Sequence, residues 1–218
     1  MLDSGAFRTD MQRAPNSDWI PTDWIRDEFF FLSTGAASFE SLDATDYEGC
    51  DFVHDLNVAP VPTELQGRFD SVLDFGTIEH VFHLPNFLRN LWELLKPGGL
   101  VFMVAPSNNH VDHGFYQLSP TFFADWFAAN GWTLEELRFV GREDDWLNSP
   151  GFARSDVYHP ALLRPETAAA AHPGFGGLDA RIYATIVCAR KTESARWDVI
   201  PQQSVYARLW DEAAGPSS

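Results

Sequence analysis

The 218-residue chain reads as an α/β protein of the doubly wound kind with a mostly parallel sheet, and three observations predict this class. Leu100 to Ala105 is an unbroken apolar run, the pattern of a strand covered on both faces by crossover helices and so of a parallel-sheet centre. Just upstream, Pro85 to Leu95 places Phe87, Leu88, Leu91, Leu94 and Leu95 at helical spacing. Three short strand-like runs lie earlier still, and each finishes on or beside an acid: Asp43, Asp55 and Asp74.

The elements follow in order from local signals. Pro21-Thr22 leads into a helix over Asp23 to Leu32, where Thr22 suits the N-cap, acids suit the first turn and Gly35 provides the stop. Strands are expected at Ser38 to Leu42, Asp51 to His54 and Phe69 to Phe75. The helix from Pro85 stops at Lys96-Pro97-Gly98-Gly99, a C-terminal stop signal, and the apolar strand from Leu100 follows. A further helix from Pro120 carries Phe122, Phe123, Trp126 and Phe127 at core-facing spacing and ends at Asn130-Gly131. Strands are then expected at Trp132 to Val140 and Arg181 to Ala189. Gly141 to Ala180, rich in Pro, Gly and Ala, is too long for a simple turn and reads as an inserted lid or edge feature. Residues 1–190 are thus expected to form one α/β domain with an insertion at about 141–180, and 191–218 a tail with a short helix at Ser204 to Ala213 and a disordered end.

Composition narrows the partners. Fifteen Lys and Arg against 31 Asp and Glu leave a net charge of −16, a poor match for phosphate backbones or anionic lipid heads. Hydrophobic residues at 45% and charged residues at 21% suit a globular core. No apolar run approaches the ~20 residues of a membrane span, and the opening MLDSGAFRTDMQ lacks a basic and an apolar leader region, so a cytoplasmic location is expected. Cys50 and Cys188 are too few for a disulfide framework and read as reduced, buried thiols.

Four segments occur in a telling order: Ser41-Leu42-Asp43, Val53-His54-Asp55-Leu56, the run from Phe69 to Val81 (FDSVLDFGTIEHV), and Leu95 to Phe102 (LKPGGLVF). Together, over roughly residues 36–140, they resemble the class I S-adenosylmethionine-dependent methyltransferases, the last two segments being the most specific. The resemblance implies a Rossmann-like, seven-stranded-type sheet, here with a shortened amino end, and S-adenosylmethionine as cofactor. Ligands of open parallel sheets bind beyond the carboxyl ends of the strands, where acids accept hydrogen bonds from hydroxyls and amines. Asp43 is then the expected ribose acceptor, Asp55 the residue beside the adenine and Leu56 its apolar contact, with Asp74 and Gly76 completing the cofactor site. The plain alternative is that such acids cap turns. The family's glycine-rich first loop is represented only by Leu2-Asp3-Ser4-Gly5-Ala6, with Gly5 as its single glycine. A degenerate working loop, a missing amino end and loss of the cofactor all remain open.

Histidines form the second constellation. Glu79-His80-Val81-Phe82-His83 follows one central strand, and His110 to Gln117 follows its expected neighbour, so the two loops should converge. Imidazole near pH 7 suits proton abstraction from an O–H or N–H acceptor, with a carboxylate to orient it. His80 and His113 are the expected bases, with Glu79, Asp112 and Tyr116 in support, while His83 and His110 suit local hydrogen bonding or a solvent-facing position. Two HxxH pairs with carboxylates also fit zinc or iron, but such pairs arise often by chance and His80 belongs to the EHV motif in any case, so no metal is expected. Phe115, Tyr116 and Trp146 suit the lining of an acceptor pocket.

The expected activity is methyl transfer to an oxygen or nitrogen of a small-molecule acceptor in a biosynthetic pathway. The rival is a protein of the same fold that does not methylate: a lyase or cyclase, a metal-binding enzyme, or a pseudoenzyme partner dimerising through the aromatic surface around Trp197 to Trp210.

Overall fold

In the computed structural model, residues 27–142 and 182–214 are described. Gly5, the Thr22 cap, Trp146, nearly all of the 141–180 insertion and the last four residues lie outside them. The chain divides into two compact units, Met1–Leu56 and Asn57–Ser218.

In the first unit, helix α1 (Asp27–Ser33) ends at Gly35, whose φ of 99° lets the Ala36 N–H reach back to the Phe31 carbonyl at 3.1 Å. Two short strands follow, β1 (Leu42–Asp43) and β2 (Phe52–Val53), paired in parallel with Asp43 opposite Val53. They are shorter than the runs expected from the sequence: ahead of β1 the Ser41 N–H is taken by the Asp51 carboxylate, at 2.7 Å, and not by a strand carbonyl.

The second unit is built on a four-stranded sheet in the order β3-β4-β6-β5: β3 (Phe69–Asp74), β4 (Leu95–Pro106), β5 (Thr133–Arg142) and β6 (Ile182–Arg190). β3 and β4 run parallel, with Asp74 opposite Met103, whereas β6 is antiparallel to both β4 and β5. Helix α2 (Leu84–Leu94) lies against β4 and β3, and α3 (Pro120–Ala129) against β5 and β6. α2 buries Phe87, Leu88, Leu91 and Leu94, the apolar stripe that its spacing predicts. The chain is therefore α/β, with flanking helices on a mixed sheet rather than a mostly parallel one in this unit.

Three expectations change. Lys96-Pro97-Gly98-Gly99 is not the helix stop: α2 ends at Leu94 and the motif is already extended as the start of β4. There Gly99 presses on backbone, since a Cβ would lie 2.9 Å from the Lys96 carbonyl oxygen. β4 is not buried on both faces, because Val101, Met103 and Ala105 are fully buried while Leu100, Phe102 and Val104 are half-buried. Cys50 and Cys188 are free thiols as expected but half-buried rather than buried.

The segment after β6 is bound to the sheet and its helices. Lys191 Nζ donates to the carbonyls of Trp92 and Leu95 at 2.6 and 2.8 Å, which satisfies the carboxyl end of α2, where a cation is electrostatically favoured. Asn130 accepts the Val199 N–H, and Trp132 donates to the Arg196 carbonyl at 2.9 Å. Helix α4 (Ser204–Ala214) leaves Tyr206, Leu209 and Trp210 exposed. No helix among the described residues is long and apolar enough to cross a membrane.

Candidate active site

Parallel pairing of β3 with β4 brings the segments after their carboxyl ends together in the second unit. β3 ends on Asp74, which is buried and accepts the Thr77 N–H through Oδ1 at 2.7 Å. Its Oδ2 is buried with no hydrogen-bond partner among the described residues. Burial, reinforced by the nearby Glu79 charge, pushes the Asp74 carboxyl up to about 6 despite the backbone hydrogen bonds that oppose it.

Beyond Asp74 the chain turns at Gly76 (φ 105°) into the 3₁₀ turn Ile78–His80. Glu79 in this turn is only 1% exposed. The loop after β4 closes over it: the Phe115 N–H donates to the Glu79 carbonyl at 2.7 Å, and Gly114 (φ 74°) sits so close that a Cβ would lie 2.8 Å from Glu79 Cγ. Glycine is required there on two counts, the left-handed backbone and the missing space.

His113, carried by that loop, places Nε2 3.4 Å from Glu79 Oε1, and His80 places its own Nε2 3.8 Å from the same oxygen. The imidazole centres are 5.2 Å apart. Both rings are about half exposed, at 52% and 55%, so a buried carboxylate stands behind two accessible imidazoles. Glu79 Oε2, like Asp74 Oδ2, is buried without a hydrogen-bond partner.

Tyr116 donates its hydroxyl to the Phe82 carbonyl at 2.8 Å, a second tie between the segments after β3 and β4. Phe82 and Phe115 meet edge to face at 5.4 Å, and both remain largely exposed beside the imidazoles. The loop is closed at its neck by the Leu118 N–H donating to the Pro106 carbonyl at 2.7 Å, while Thr185 Oγ1 donates to the Leu118 carbonyl at 3.1 Å.

The expected convergence of Glu79, His80 and His113 is present, but the two HxxH pairs do not form one cluster. His83 caps α2, where its Nδ1 accepts the Asn86 N–H at 3.2 Å and its own N–H donates to Asn57 Oδ1 at 3.0 Å. The His110 ring stacks near His113 at 5.6 Å. Asp112 lies in the same loop with a left-handed φ of 63°. Two features were not foreseen: Gly114 as the residue that lets the loop reach Glu79, and Asn57 as the anchor of the α2 entry. A glycine directly after His113 was the available signal for the first.

In the first unit, Asp43 ends β1 and Asp55 follows β2, so both acids lie at the carboxyl edge of that parallel pair. Asp43 is exposed and its Oδ1 accepts the Thr45 N–H at 3.3 Å, a turn contact. Asp55 is exposed and Leu56 half-buried.

The model of a methyltransferase-domain family matches residues 24–140, more than half of the chain. No curated protein matches it. Solved structures are similar to the chain at low identity. The [4+2]-cyclase SpnF is 19% identical at a TM-score of 0.38, over 65% of this chain and 56% of that one. An S-adenosylmethionine-dependent methyltransferase from Mesorhizobium loti is 14% identical at a TM-score of 0.44, over 74% and 84%. One from Archaeoglobus fulgidus is 11% identical at 0.45, over 75% and 80%. The chain spans little more than half the length of the cyclase it matches. On the family match, which takes in the acid-ended strands, the Asp74 to His80 turn and the strand that follows α2, the chain belongs to the class I S-adenosylmethionine-dependent methyltransferases.

Proposed function

We propose that the protein transfers a methyl group from S-adenosylmethionine to an oxygen or nitrogen of a small-molecule acceptor, and that the acceptor's proton leaves at the Glu79, His80 and His113 cluster. The convergence of these three side chains beyond β3 and β4 carries the reading. When bound, the cofactor supplies a methyl group on a positively charged sulfur, open to in-line attack by an acceptor lone pair.

Each unit, taken by itself, holds residues whose chemistry suits that cofactor. Asp43 and Asp55 offer exposed carboxylates at one strand edge, the chemistry that ribose hydroxyls and an adenine amine need, with Leu56 beside them for the base. Asp74 presents a buried oxygen without a partner, and Gly76 keeps the chain after it free of a side chain. Two buried carboxylates also favour a cationic sulfur nearby. Gly5, expected from the family's first loop, belongs to this assignment on sequence alone.

On the acceptor side, Glu79 holds the imidazoles from behind, so that His113 and His80 present ring nitrogens to a group arriving from solvent. Tyr116 fixes the Phe82 backbone, and Phe82 and Phe115 offer an aromatic wall. A net charge of −16 supports a small acceptor over a nucleic acid.

Calorimetric titration with S-adenosylmethionine and its demethylated product, followed by turnover with a panel of phenols, amines and carboxylic acids, tests the proposal. His113→Ala is expected to lower turnover about 10²- to 10⁴-fold while cofactor affinity stays within about twofold. Full turnover in both His113→Ala and His80→Ala would remove the cluster from the chemistry.

A further inference from the structure

We infer that Glu79, His80 and His113 form a binding site for one divalent ion of the zinc class. Their ligand atoms, one carboxylate oxygen and two imidazole nitrogens, all lie within 4.8 Å of one another. Residue spacing alone favoured acid–base chemistry at this place. The geometry shifts the balance.

The distances carry the argument. An ion bound by nitrogen and oxygen at about 2.0–2.1 Å in a tetrahedral shell holds its ligand atoms roughly 3.3–3.4 Å apart. Glu79 Oε1 lies 3.4 Å from His113 Nε2 and 3.8 Å from His80 Nε2, so one carboxylate oxygen already stands at nearly that spacing from both nitrogens. The imidazoles, half exposed, have room to turn inward, whereas the carboxylate is locked. Gly114 packs on its Cγ, and a Cβ at Gly76 would touch its Oε1 at 3.0 Å.

Electrostatics point the same way. Glu79 is 1% exposed and its Oε2 has no hydrogen-bond partner, a costly arrangement for a lone carboxylate. Asp74 adds a second buried carboxyl whose Oδ2 also has none. A cation before Glu79 offsets both. Two imidazoles and one carboxylate make a three-ligand set with an open position, the composition of ions that act on a bound oxygen.

Ion binding stands independently of methyl transfer, but its consequence rests on the proposed function. The ion would hold the acceptor oxygen and lower the pKa of its O–H, the proton passing to water. The oxygen lone pair then forms the bond to the methyl carbon, and the carbon–sulfur electrons return to sulfur. His80 and His113 serve as ligands in this scheme, and water rather than an imidazole takes the proton.

The test uses the full chain without an affinity tag, stripped with chelator and titrated with Zn²⁺ by calorimetry, with Co²⁺ absorption as the reporter of a four-coordinate site. One ion per chain is expected, with a dissociation constant in the micromolar range or below. His113→Ala, His80→Ala and Glu79→Gln should each weaken it at least about tenfold and abolish the cobalt band. The two histidine substitutions fall on half-exposed side chains, so they keep the test open if Glu79→Gln fails to fold. His83→Asn, which retains an acceptor at the α2 cap, should bind like the parent. Less than about a tenth of an ion per chain at saturation, or a stoichiometric ion indifferent to all three substitutions, overturns the inference. If the stripped protein still binds S-adenosylmethionine and turns over fully, the catalytic role drawn for the ion fails while the methyltransferase reading stands. A tightly bound ion without methyl transfer to any acceptor gives the converse.

Discussion

Asp74→Asn probes the carboxyl that ends β3. The substitution keeps an oxygen to accept the Thr77 N–H and removes a charge buried beside Glu79. In the folded chain this carboxyl is raised from 3.8 to about 6, because burial penalises its charged form. A raised carboxyl means that the folded state holds the proton more tightly than the unfolded state. The stability linked to Asp74 is therefore fully present below pH 3.8 and is lost as pH rises through about 6. A displacement of that size corresponds to about 3 kcal/mol in total, and roughly 1.4 kcal/mol of it falls between pH 5 and pH 8. Urea unfolding of parent and variant at both pH values isolates the effect, since every other titrating group is common to the two chains. The stability of Asp74→Asn relative to the parent should rise by that 1.4 kcal/mol from pH 5 to pH 8. A gap that stays constant or shrinks would refute the argument that burial governs this carboxyl.

The other predictions address the core, the loop and the cofactor. Val101→Asp puts a carboxylate where no solvent reaches and should abolish cooperative melting, whereas Val72→Asp, on half-buried β3, should still give a folded protein; equal behaviour of the two would misplace the core. Gly114→Ala should cost about 2 kcal/mol or more, because strain and collision act together, while Gly98→Ala, with φ 81° and open space around it, should cost only about 1 kcal/mol in chemical unfolding. Asp43→Ala should weaken S-adenosylmethionine binding by about 1.5–3 kcal/mol in calorimetry, the scale of a charged hydrogen bond, and an unchanged constant would take Asp43 out of the site.

Much of this architecture was legible because particular residues leave few alternatives. The helical spacing of Phe87, Leu88, Leu91 and Leu94 against the apolar run after Gly99 specified α2 and β4. Strand direction was not legible. An apolar run looks the same beside a parallel or an antiparallel neighbour, so nothing in Val101 to Ala105 announced that β6 runs against it. Burial of a charged side chain was equally hidden. Glu79 was singled out as a partner of the histidines, but its burial was not legible, since its enclosure depends on Gly114, a residue 35 positions away that approaches only because β3 and β4 are neighbours. His83 shows the reverse: a residue of metal-ligand type is used by the backbone of α2, because a helix start needs an acceptor.

The neck between Pro106 and Leu118 makes residues 107–117 a cassette. Its two ends meet at one backbone hydrogen bond, and Leu118 is anchored separately to Thr185 on β6. Length added at the tip near Val111, which is 78% exposed, leaves the register of β4 untouched and costs only about 0.6 kcal/mol for each doubling of the loop. Under the proposed function, acceptor preference can thus diverge by extension at this tip, while the sheet, His113 and Gly114 are kept unchanged.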